Sequence, residues 1–390
     1  MKITFYSNYL THHQIPFCDK MFELMGHDYT FVSTESMNSE RFNFGWTCSD
    51  KYPYELKSYQ SNSNLNKSIQ LAEQSDVVII GSAPENFIMQ RMKQNNSGIT
   101  FRYSERIYKK GRWRAISPRG LLNRYNSYFR YFNRPLYMLC ASGYTAGDLS
   151  ILGSYIDRCY KWGYFPETKQ YNVDDLMKNK CKDVVEILWA GRFLDWKHPE
   201  QALLVAKRLD KENIDFQLKM IGNGKELERI KTMAENMDLK HPIEFLGAMT
   251  PNEVRRHMEE SNIYLLTSDF NEGWGAVLNE SMNSGCAVVA SHAIGSVPFL
   301  VKHGENGLIY RSGDLNDLCE NVKSLVLNQD KRERLGINAY NTIKNEWNAQ
   351  ISAERFVALS EALLKGKNHI FESGPCSKAS SIGNGWFKKQ

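Results

Sequence analysis

Short apolar runs alternate with longer amphipathic stretches along most of the chain. In the first half, the runs Ile3–Ser7, Tyr29–Ser33, Val77–Ile80 and Leu136–Cys140 predict buried strands. The stretches that separate them have the spacing of amphipathic helices. Strands that alternate with helices pair in parallel through right-handed crossovers. The pattern therefore predicts an α/β protein with a doubly wound parallel sheet.

The alternation stops between residues 165 and 182, where the chain is polar, contains a proline and has no apolar period. It then resumes, and 390 residues exceed one ordinary hydrophobic core. We predict two Rossmann-like domains, residues 1–165 and 166–348, with ligand sites at the carboxyl ends of both sheets facing a shared cleft. Residues 349–390 are expected to form a C-terminal helix that packs back on the first domain, then a loose polar tail.

Composition narrows the class of protein. With 42% apolar and 24% charged residues, the chain is globular, and no uncharged run approaches the ~18 residues that span a bilayer. The amino terminus is too short and too polar for a secretory signal. Eight scattered cysteines with no C-x-x-C pair favour reduced thiols over disulfides or zinc. We expect a cytoplasmic protein, free or attached to the inner face of the cell membrane.

The stretch 271–285, NEGWGAVLNESMNSG, carries the most distinctive chemistry. It holds Glu272 and Glu280, with Gly273 and Gly275 after the first, and lies between two strand-like runs. We predict a loop followed by a helix over about residues 275–284. A helix that opens on glycines after a strand offers N–H groups to a phosphate or a sugar hydroxyl. The Glu280 side chain can lean toward that same end.

Three other loops follow predicted strands of the second half. Arg192 and Lys197 are two cations that could neutralise a diphosphate, or could be ordinary solvated loop charges. The sequence IGNG does not complete G-x-G-x-x-G, which disfavours a nicotinamide dehydrogenase. The backbone at Gly247 and Ala248 could face a nucleobase, or simply turn the chain.

The order AGRFLDWK, IGNG, FLG, EGWGAVLNE and AVVAS resembles the retaining, sugar-nucleotide-dependent glycosyltransferases of family four, which have the GT-B fold. The resemblance covers roughly residues 184–345. It implies that Arg192 and Lys197 hold the donor diphosphate, with Glu272 at the donor sugar. It also implies that Glu280 accepts hydrogen bonds from the ribose hydroxyls. Backbone contacts to the sugar and phosphate are implied for three further residues: Gly275, Ala276 and Val277.

The implied reaction moves a sugar from a nucleoside diphosphate, most often of uridine in this family, to a glycan or a lipid-linked saccharide. No cofactor or metal is expected, because the metal-binding Asp-x-Asp motif is absent and the departing phosphate is thought to act as the base. The family's Lys-Gly pair reads Lys197-His198 here. Two alternatives stay open: another sugar-nucleotide enzyme such as an epimerase, and a non-catalytic protein that binds nucleotide sugars or nucleic acid.

The first half offers weaker signals. His12 and His13, after the first strand, and Glu105, after a later one, are candidates for contacting the acceptor or donor sugar, or are plain surface residues. Residues 101–137, here called the basic-aromatic segment, contain ten Lys or Arg residues against the single acid Glu105, with interleaved aromatic residues. The segment predicts contact with an anionic membrane that presents a lipid-linked acceptor. Nucleic-acid binding is less favoured, and a solvated helix face is the simplest alternative.

Overall fold

A computed structural model describes residues 1–37, 52–93, 98–367 and 371–388. The chain forms two compact units. The first unit comprises Met1–Glu167 and Asn348–Gly383, and the second comprises Thr168–Trp347 and Asn384–Gln390.

The strands are short and mostly buried along their whole length, as expected for parallel sheets covered on both faces. In chain order they are β1 (Ile3–Ser7), β2 (Tyr29–Ser33), β3 (Glu55–Lys57), β4 (Val77–Ile80), β5 (Ile99–Ser104), β6 (Leu136–Cys140), β7 (Cys159–Lys161), β8 (Glu186–Ala190), β9 (Gln217–Ile221), β10 (Ile243–Gly247), β11 (Ile263–Leu266), β12 (Ala287–Ser291) and β13 (Leu308–Tyr310).

Helices connect most successive strands. In chain order they are α1 (Ile15–Met25), α2 (Asn62–Gln74), α3 (Glu85–Lys93), α4 (Pro118–Ser127), α5 (Thr145–Ser150), α6 (Val173–Lys178), α7 (Glu200–Lys211), α8 (Leu227–Glu235), α9 (Pro251–Glu260), α10 (Val277–Asn283), α11 (Val297–Leu300), α12 (Leu315–Val326), α13 (Gln329–Asn345) and α14 (Ala349–Leu364). Short 3-10 turns occur at Gly26–Asp28, Arg112–Ile116, Phe129–Tyr131 and Asp195–Lys197.

The first unit contains a seven-stranded parallel sheet in the order β3-β2-β1-β4-β5-β6-β7. The neighbours of β1 lie in register with it, so that Phe5 is opposite Phe31 on β2 and Ile79 on β4. Helix α14 belongs to this unit. Its Phe356 ring lies 5.2 Å from Phe101 and 6.4 Å from Phe17. The last long helix therefore covers the aromatic side of the first sheet.

The expected loose tail is a wrong prediction. Residues 376–379 pair with the edge strand β7, where the Lys161 N–H donates to Ser377 O (2.7 Å) and the Ala379 N–H donates to Cys159 O (3.1 Å). Cys376 is buried, and its N–H donates to Lys161 O (2.8 Å). An edge strand offers unpaired backbone groups. Because the backbone makes these bonds, a polar sequence can pack there without an apolar period.

The second unit contains a six-stranded parallel sheet in the order β10-β9-β8-β11-β12-β13. Strand β8 lies between β9 and β11, and Ile187 pairs with both Leu218 and Ile263. Helices α7, α8 and α12 carry the apolar residues that pack on this sheet. The buried His292 ring donates a hydrogen bond from Nε2 to Asn384 O (3.0 Å) within this unit.

The two predicted Rossmann-like parallel sheets are confirmed. Strands β7 and β13 were not predicted, because three residues are too few to show a period. The polar stretch 165–182 contains helix α6, which Asn172 caps by accepting from the N–H groups of Asp174 and Asp175.

Two smaller expectations concern cysteines and membranes. The cysteines within the described residues are all free, and Cys48 lies outside those residues. No helix in the described part of the chain has both the length and the apolar character needed to cross a bilayer.

Candidate active site

Two loops at the carboxyl edge of the second sheet bring charged residues together. Lys197 follows β8 and Glu272 follows the adjacent strand β11, and their Nζ and Oε2 atoms lie 2.6 Å apart. The two side chains are only 13% and 12% exposed. The Ser268 hydroxyl donates a second hydrogen bond to Glu272 Oε2 (2.9 Å). Two residues that the sequence separates by 75 positions thus form one half-buried ion pair.

The backbone around Lys197 is held by the neighbouring loop. The Thr267 hydroxyl donates to Lys197 O (2.6 Å), and the Asp269 N–H donates to Trp196 O (3.0 Å). The Trp196 ring lies 4.8 Å from Lys197 Nζ, a cation–π distance. An ammonium group has three N–H donors, and within the described residues Glu272 is the only hydrogen-bond acceptor for them. Two donors therefore remain for an anionic ligand.

His198 takes a backbone conformation that normally favours glycine. Its φ and ψ angles are 48° and 53°, in the left-handed region. The ring is held from both sides, by Glu200 Oε1 at Nδ1 (3.0 Å) and by Asp269 Oδ2 at Nε2 (3.3 Å). The hydrogen bond with Glu200 raises the pKa of His198 against the effect of burial, and the charge of Asp269 adds to the rise. This histidine thus forms a left-handed turn directly after Lys197.

The IGNG glycines allow two loops to approach closely. A Cβ at Gly222 would lie 1.9 Å from Gly191 O, and one at Gly224 would lie 2.4 Å from Phe193 O. The Gly222 N–H donates to Gly247 O (2.7 Å). These glycines therefore pack the β9 loop against the loop that carries Arg192. The carbonyl of Gly247 is used within the protein, and Ala248 is exposed at the end of β10.

The helix after Glu272 is shorter than predicted. It begins at Val277 rather than near Gly275, with Ala276 as its N-cap residue. Gly275 has φ +83°, which a residue with a side chain rarely adopts, so the chain turns there before the helix starts. The loop is anchored by Trp274, which is fully buried and donates its indole N–H to Asn279 Oδ1 (2.8 Å).

Glu280 differs from Glu272 because its carboxylate has no partner in the part of the chain that the structure describes. It is half-buried, and within the described residues its side chain makes no hydrogen bond or ion pair. Burial raises its pKa, and the charge of Arg255 partly opposes that rise. The buried Tyr264 hydroxyl has its pKa raised by burial, and also by the charges of Glu280 and Glu272. Both carboxylates therefore act on the same tyrosine, and Glu280 remains available for a ligand.

Arg192 is the second cation predicted at this edge. Its side chain is exposed and, among the residues that the structure describes, makes no ion pair or hydrogen bond. The same residues contain no group of three or more His, Cys, Asp or Glu arranged to hold a metal ion.

Comparison with known proteins identifies this part of the chain. Residues 177–342 match the family described as glycosyl transferases group 1. This match lies within the second unit. The chain is 31% identical over 157 residues to an uncharacterized glycosyltransferase of Haemophilus influenzae, covering 40% of this chain and 44% of that protein. It is also 24% identical over 202 residues to the amylovoran biosynthesis glycosyltransferase AmsK of Erwinia amylovora, covering 50% and 49%. The chain thus spans about half the length of these curated relatives.

The fold also matches a solved structure over most of the chain. Anabaena Alr3699/HepE, crystallised in complex with UDP, superposes with a TM-score of 0.67 over 93% of this chain and 100% of its own. The sequence identity is 14%, so the match shows the fold alone. The expected resemblance to family-four glycosyltransferases with the GT-B fold is confirmed.

In the first unit, the three candidate residues lie in one network. Tyr164 donates to Glu105 Oε1 (2.7 Å), and its ring is stacked with the His13 ring at 5.9 Å. His12 and His13 have ring centroids 3.7 Å apart. The other Glu105 oxygen receives Lys109 Nζ (2.9 Å). The structure thus joins these residues through Tyr164, which was not predicted, and both oxygens of Glu105 are already paired.

The second unit also contains supporting residues that sequence reasoning missed. Thr267 and Asp269 follow β11, and their partners Lys197 and His198 lie about 70 residues earlier in the chain. Arg255 on α9 donates to the backbone carbonyl of Glu280 (2.6 Å). No local motif marks these positions. Their place after a buried strand on the ligand-binding edge was the available signal.

Proposed function

We propose that this chain transfers a sugar from a nucleoside diphosphate sugar to a saccharide acceptor, with retention of anomeric configuration. The observation that carries the proposal is the Lys197–Glu272 pair on adjacent loops, beside the unpaired carboxylate of Glu280. The group 1 family match supports sugar transfer. The UDP bound by the Anabaena neighbour supports a uridine donor.

The proposed chemistry is electrostatic. The bond from the sugar C1 to the phosphate oxygen breaks, and its electron pair goes to the departing diphosphate. The acceptor hydroxyl forms the new bond to C1 and gives its proton to that phosphate. Arg192 and the two remaining N–H donors of Lys197 meet the charge that develops on the leaving group, without a metal ion. Glu272 holds Lys197 in place and faces the donor sugar, while the backbone of residues 275–277 contacts the sugar and phosphate.

Glu280 is the proposed ribose contact. A carboxylate has two oxygens that suit a vicinal diol, and a half-buried carboxylate without a partner gains most from new hydrogen bonds. Gly247 and Ala248 would lie by the base. In the first unit, His12, His13 and Glu105 are the proposed acceptor contacts, with Tyr164 as their common neighbour.

A membrane surface is the proposed setting of the acceptor. Helix α4 exposes Leu121 (48%), Leu122 (59%) and Tyr125 (56%), and Arg114 and Arg119 are exposed near its start. Residues 106–137 contain no acid. Apolar and cationic side chains on one surface suit an anionic bilayer. A lipid-linked saccharide would be presented there, which fits the polysaccharide pathway in the name of the Erwinia relative.

The test combines turnover with donor binding. The intact chain is incubated with labelled UDP-sugars and detergent-solubilised lipid-linked acceptors, and the anomer of the product is read by NMR. Transfer with retention is expected, whereas tight UDP binding without turnover would point to a binding protein.

Calorimetry with UDP tests the site itself. Glu280→Ala is expected to weaken UDP binding about 10-fold or more, because hydrogen bonds to a charged group are each worth about 1.5–3 kcal/mol. Glu305→Ala is the control, because Glu305 is exposed and its side chain has no partner among the described residues. Equal affinities of the two variants would show that the donor site is elsewhere.

A further inference from the structure

The first unit has a large cavity that the donor site does not use. It has a volume of about 700 Å³ and opens at the carboxyl ends of β4 and β5, where Gly81, Ser82 and Ser104 lie in its wall. Sites in sheets of this type form at that edge, and the volume is that of a small-molecule site. We call it the arginine cavity, because three guanidinium groups line it: Arg102, Arg124 and Arg130.

Arg124 is buried in the wall of this cavity without a counter-ion. It is 6% exposed, and its Nε atom is buried with no hydrogen-bond partner. Its one hydrogen bond runs from Nη2 to the Tyr108 hydroxyl (3.3 Å), and within the described residues it contacts no carboxylate. A buried charge with no partner is strongly unfavourable. An anion in the cavity would remove that cost.

The rest of the cavity adds positive charge. Arg102 is neutralised by Glu85, whose Oε1 lies 2.6 Å from Arg102 Nη2. Arg130 is exposed and, among the described residues, contacts only the Tyr131 ring, at 5.7 Å. Glu85 is the one acid in the lining, so the cavity carries an excess of two positive charges. Guanidinium groups bind phosphate oxygens in a bidentate manner.

The side chains at the cavity also include exposed apolar groups. Met89 (42% exposed) and Ile107 (36% exposed) line it. Helix α4, which supplies Arg124 to the cavity, turns Leu121 and Leu122 outward. The arrangement of cations inside and apolar groups outside matches a phosphate attached to a hydrocarbon chain.

We propose that the arginine cavity binds the phosphate group of a phosphate-linked lipid, with the phosphate at Arg124 and Arg130. The anion site stands on the unpaired guanidinium groups alone. Its assignment to a lipid-linked saccharide acceptor rests on the proposed transferase function. A membrane phospholipid presents the same chemistry, so the experiment must separate these two sources.

The first experiment measures binding of decyl phosphate to the intact chain by calorimetry, below micelle-forming concentrations. Decyl glucoside, which has the same chain and no charge, is the ligand control. We expect decyl phosphate to bind, and Arg130→Gln and Arg124→Met each to weaken it at least 10-fold. Arg256→Gln removes an exposed arginine of the second unit and is expected to change affinity less than two-fold.

Two results would overturn the anion site. One is equal binding of decyl phosphate and decyl glucoside, and the other is unchanged affinity in Arg130→Gln. Because Arg130 is exposed, its replacement leaves the fold intact, and it decides the question if Arg124→Met does not fold. UDP affinity is measured in the same variants and is expected to stay unchanged. A chain that binds decyl phosphate but not UDP would retain the anion site and lose the proposed transferase function.

The second experiment identifies the source of the phosphate. If it belongs to the acceptor, Arg130→Gln raises KM for a phosphate-linked lipid acceptor at least 10-fold, with UDP affinity unchanged. If it belongs to a bilayer lipid, the variant loses affinity for phosphatidylglycerol vesicles while KM for a detergent-solubilised acceptor is unchanged. An unchanged KM together with unchanged vesicle affinity would contradict the proposal.

Discussion

The donor edge of the second unit and the arginine cavity of the first unit differ in how their charged side chains are paired. At the donor edge, Lys197 is paired with Glu272, and His198 is held by two carboxylates. In the arginine cavity, Arg124 is buried with no carboxylate partner among the residues that the structure describes, while leucines of the same helix face outward. The first region is held in shape by its own side chains before any ligand arrives. The second region has charges and apolar surface that only a ligand or a membrane would satisfy.

The largest expected effect comes from breaking the ion pair at the donor edge. Lys197→Ala removes a cation aimed at the leaving group and leaves Glu272 without its ion-pair partner. We expect kcat to fall about 10²–10³-fold, the loss seen when one group that stabilises transition-state charge is removed. Steady-state transfer assays with a UDP-sugar measure the change.

Lys225→Ala is the matched control for this prediction. Lys225 also lies near the β8 loop, but it is exposed and pairs only with the exposed Asp195 at 3.5 Å. It should change kcat less than two-fold, because exposed pairs contribute little. If Lys197→Ala retained kcat within three-fold while Lys225→Ala did the same, the leaving-group assignment would be wrong.

The difference between local patterns and long-range contacts explains what could be predicted from the sequence. Both sheets could be predicted, because buried strands such as Val77–Ile80 and Ile263–Leu266 stand out between amphipathic helices. Glu272 and Glu280 could be singled out, because a local motif carries them. Thr267 and Asp269 could not, since their roles depend on partners on a neighbouring strand's loop.

Helix α4 shows a second limit of prediction from the sequence. Its apolar residues would be expected to face the core, yet Arg124 is its one buried residue and Leu121 and Leu122 are exposed. Sequence patterns reveal which face of a helix is apolar, but not whether the protein core or a membrane covers that face. The polar tail shows the related case, because residues 376–379 pair with β7 through the backbone and need no apolar pattern.

An intermediate effect is expected from the exposed face of α4. Leu122→Glu places a negative charge on the surface proposed to meet an anionic bilayer. We expect binding to phosphatidylglycerol vesicles to weaken about 10-fold or more, since both apolar contact and charge attraction are reduced. Vesicle sedimentation at two salt concentrations measures it, and the affinity of the unaltered chain should fall as salt rises.

Leu327→Glu provides the control for this experiment. Leu327 is 63% exposed at the end of α12 in the second unit, so the same substitution is made outside the basic-aromatic segment. It should leave vesicle affinity unchanged. Equal loss in both variants would indicate a general effect of charge. No dependence on anionic lipid or on salt would remove the membrane from the proposal.

The smallest expected effect concerns His198, which follows Lys197 at the donor edge. Its pKa is raised above the ordinary value of 6.5 by the hydrogen bond with Glu200, with Asp269 adding to the rise. A raised pKa means that the stabilisation is fully present below pH 6.5 and is lost as pH rises through the raised value. We expect Tm to fall between pH 6 and pH 9 by about 2 °C more in the unaltered chain than in His198→Gln, since about 1 kcal/mol shifts a unit of this size by about 2–4 °C.

His198→Gly separates the two roles of this residue. Glycine removes the ring but adopts the left-handed turn without strain, which is worth about 1–2 kcal/mol. At pH 9 the His198 ring has lost the stabilisation that its charge gains from Glu200 and Asp269. His198→Gly should therefore be at least as stable there as the unaltered chain and more stable than His198→Gln. At pH 6 that advantage over the unaltered chain should shrink or reverse, because the ring is then charged and held by both carboxylates. Parallel Tm curves for all three proteins would mean that His198 only occupies the turn and that its carboxylate partners contribute nothing to the stability of the loop.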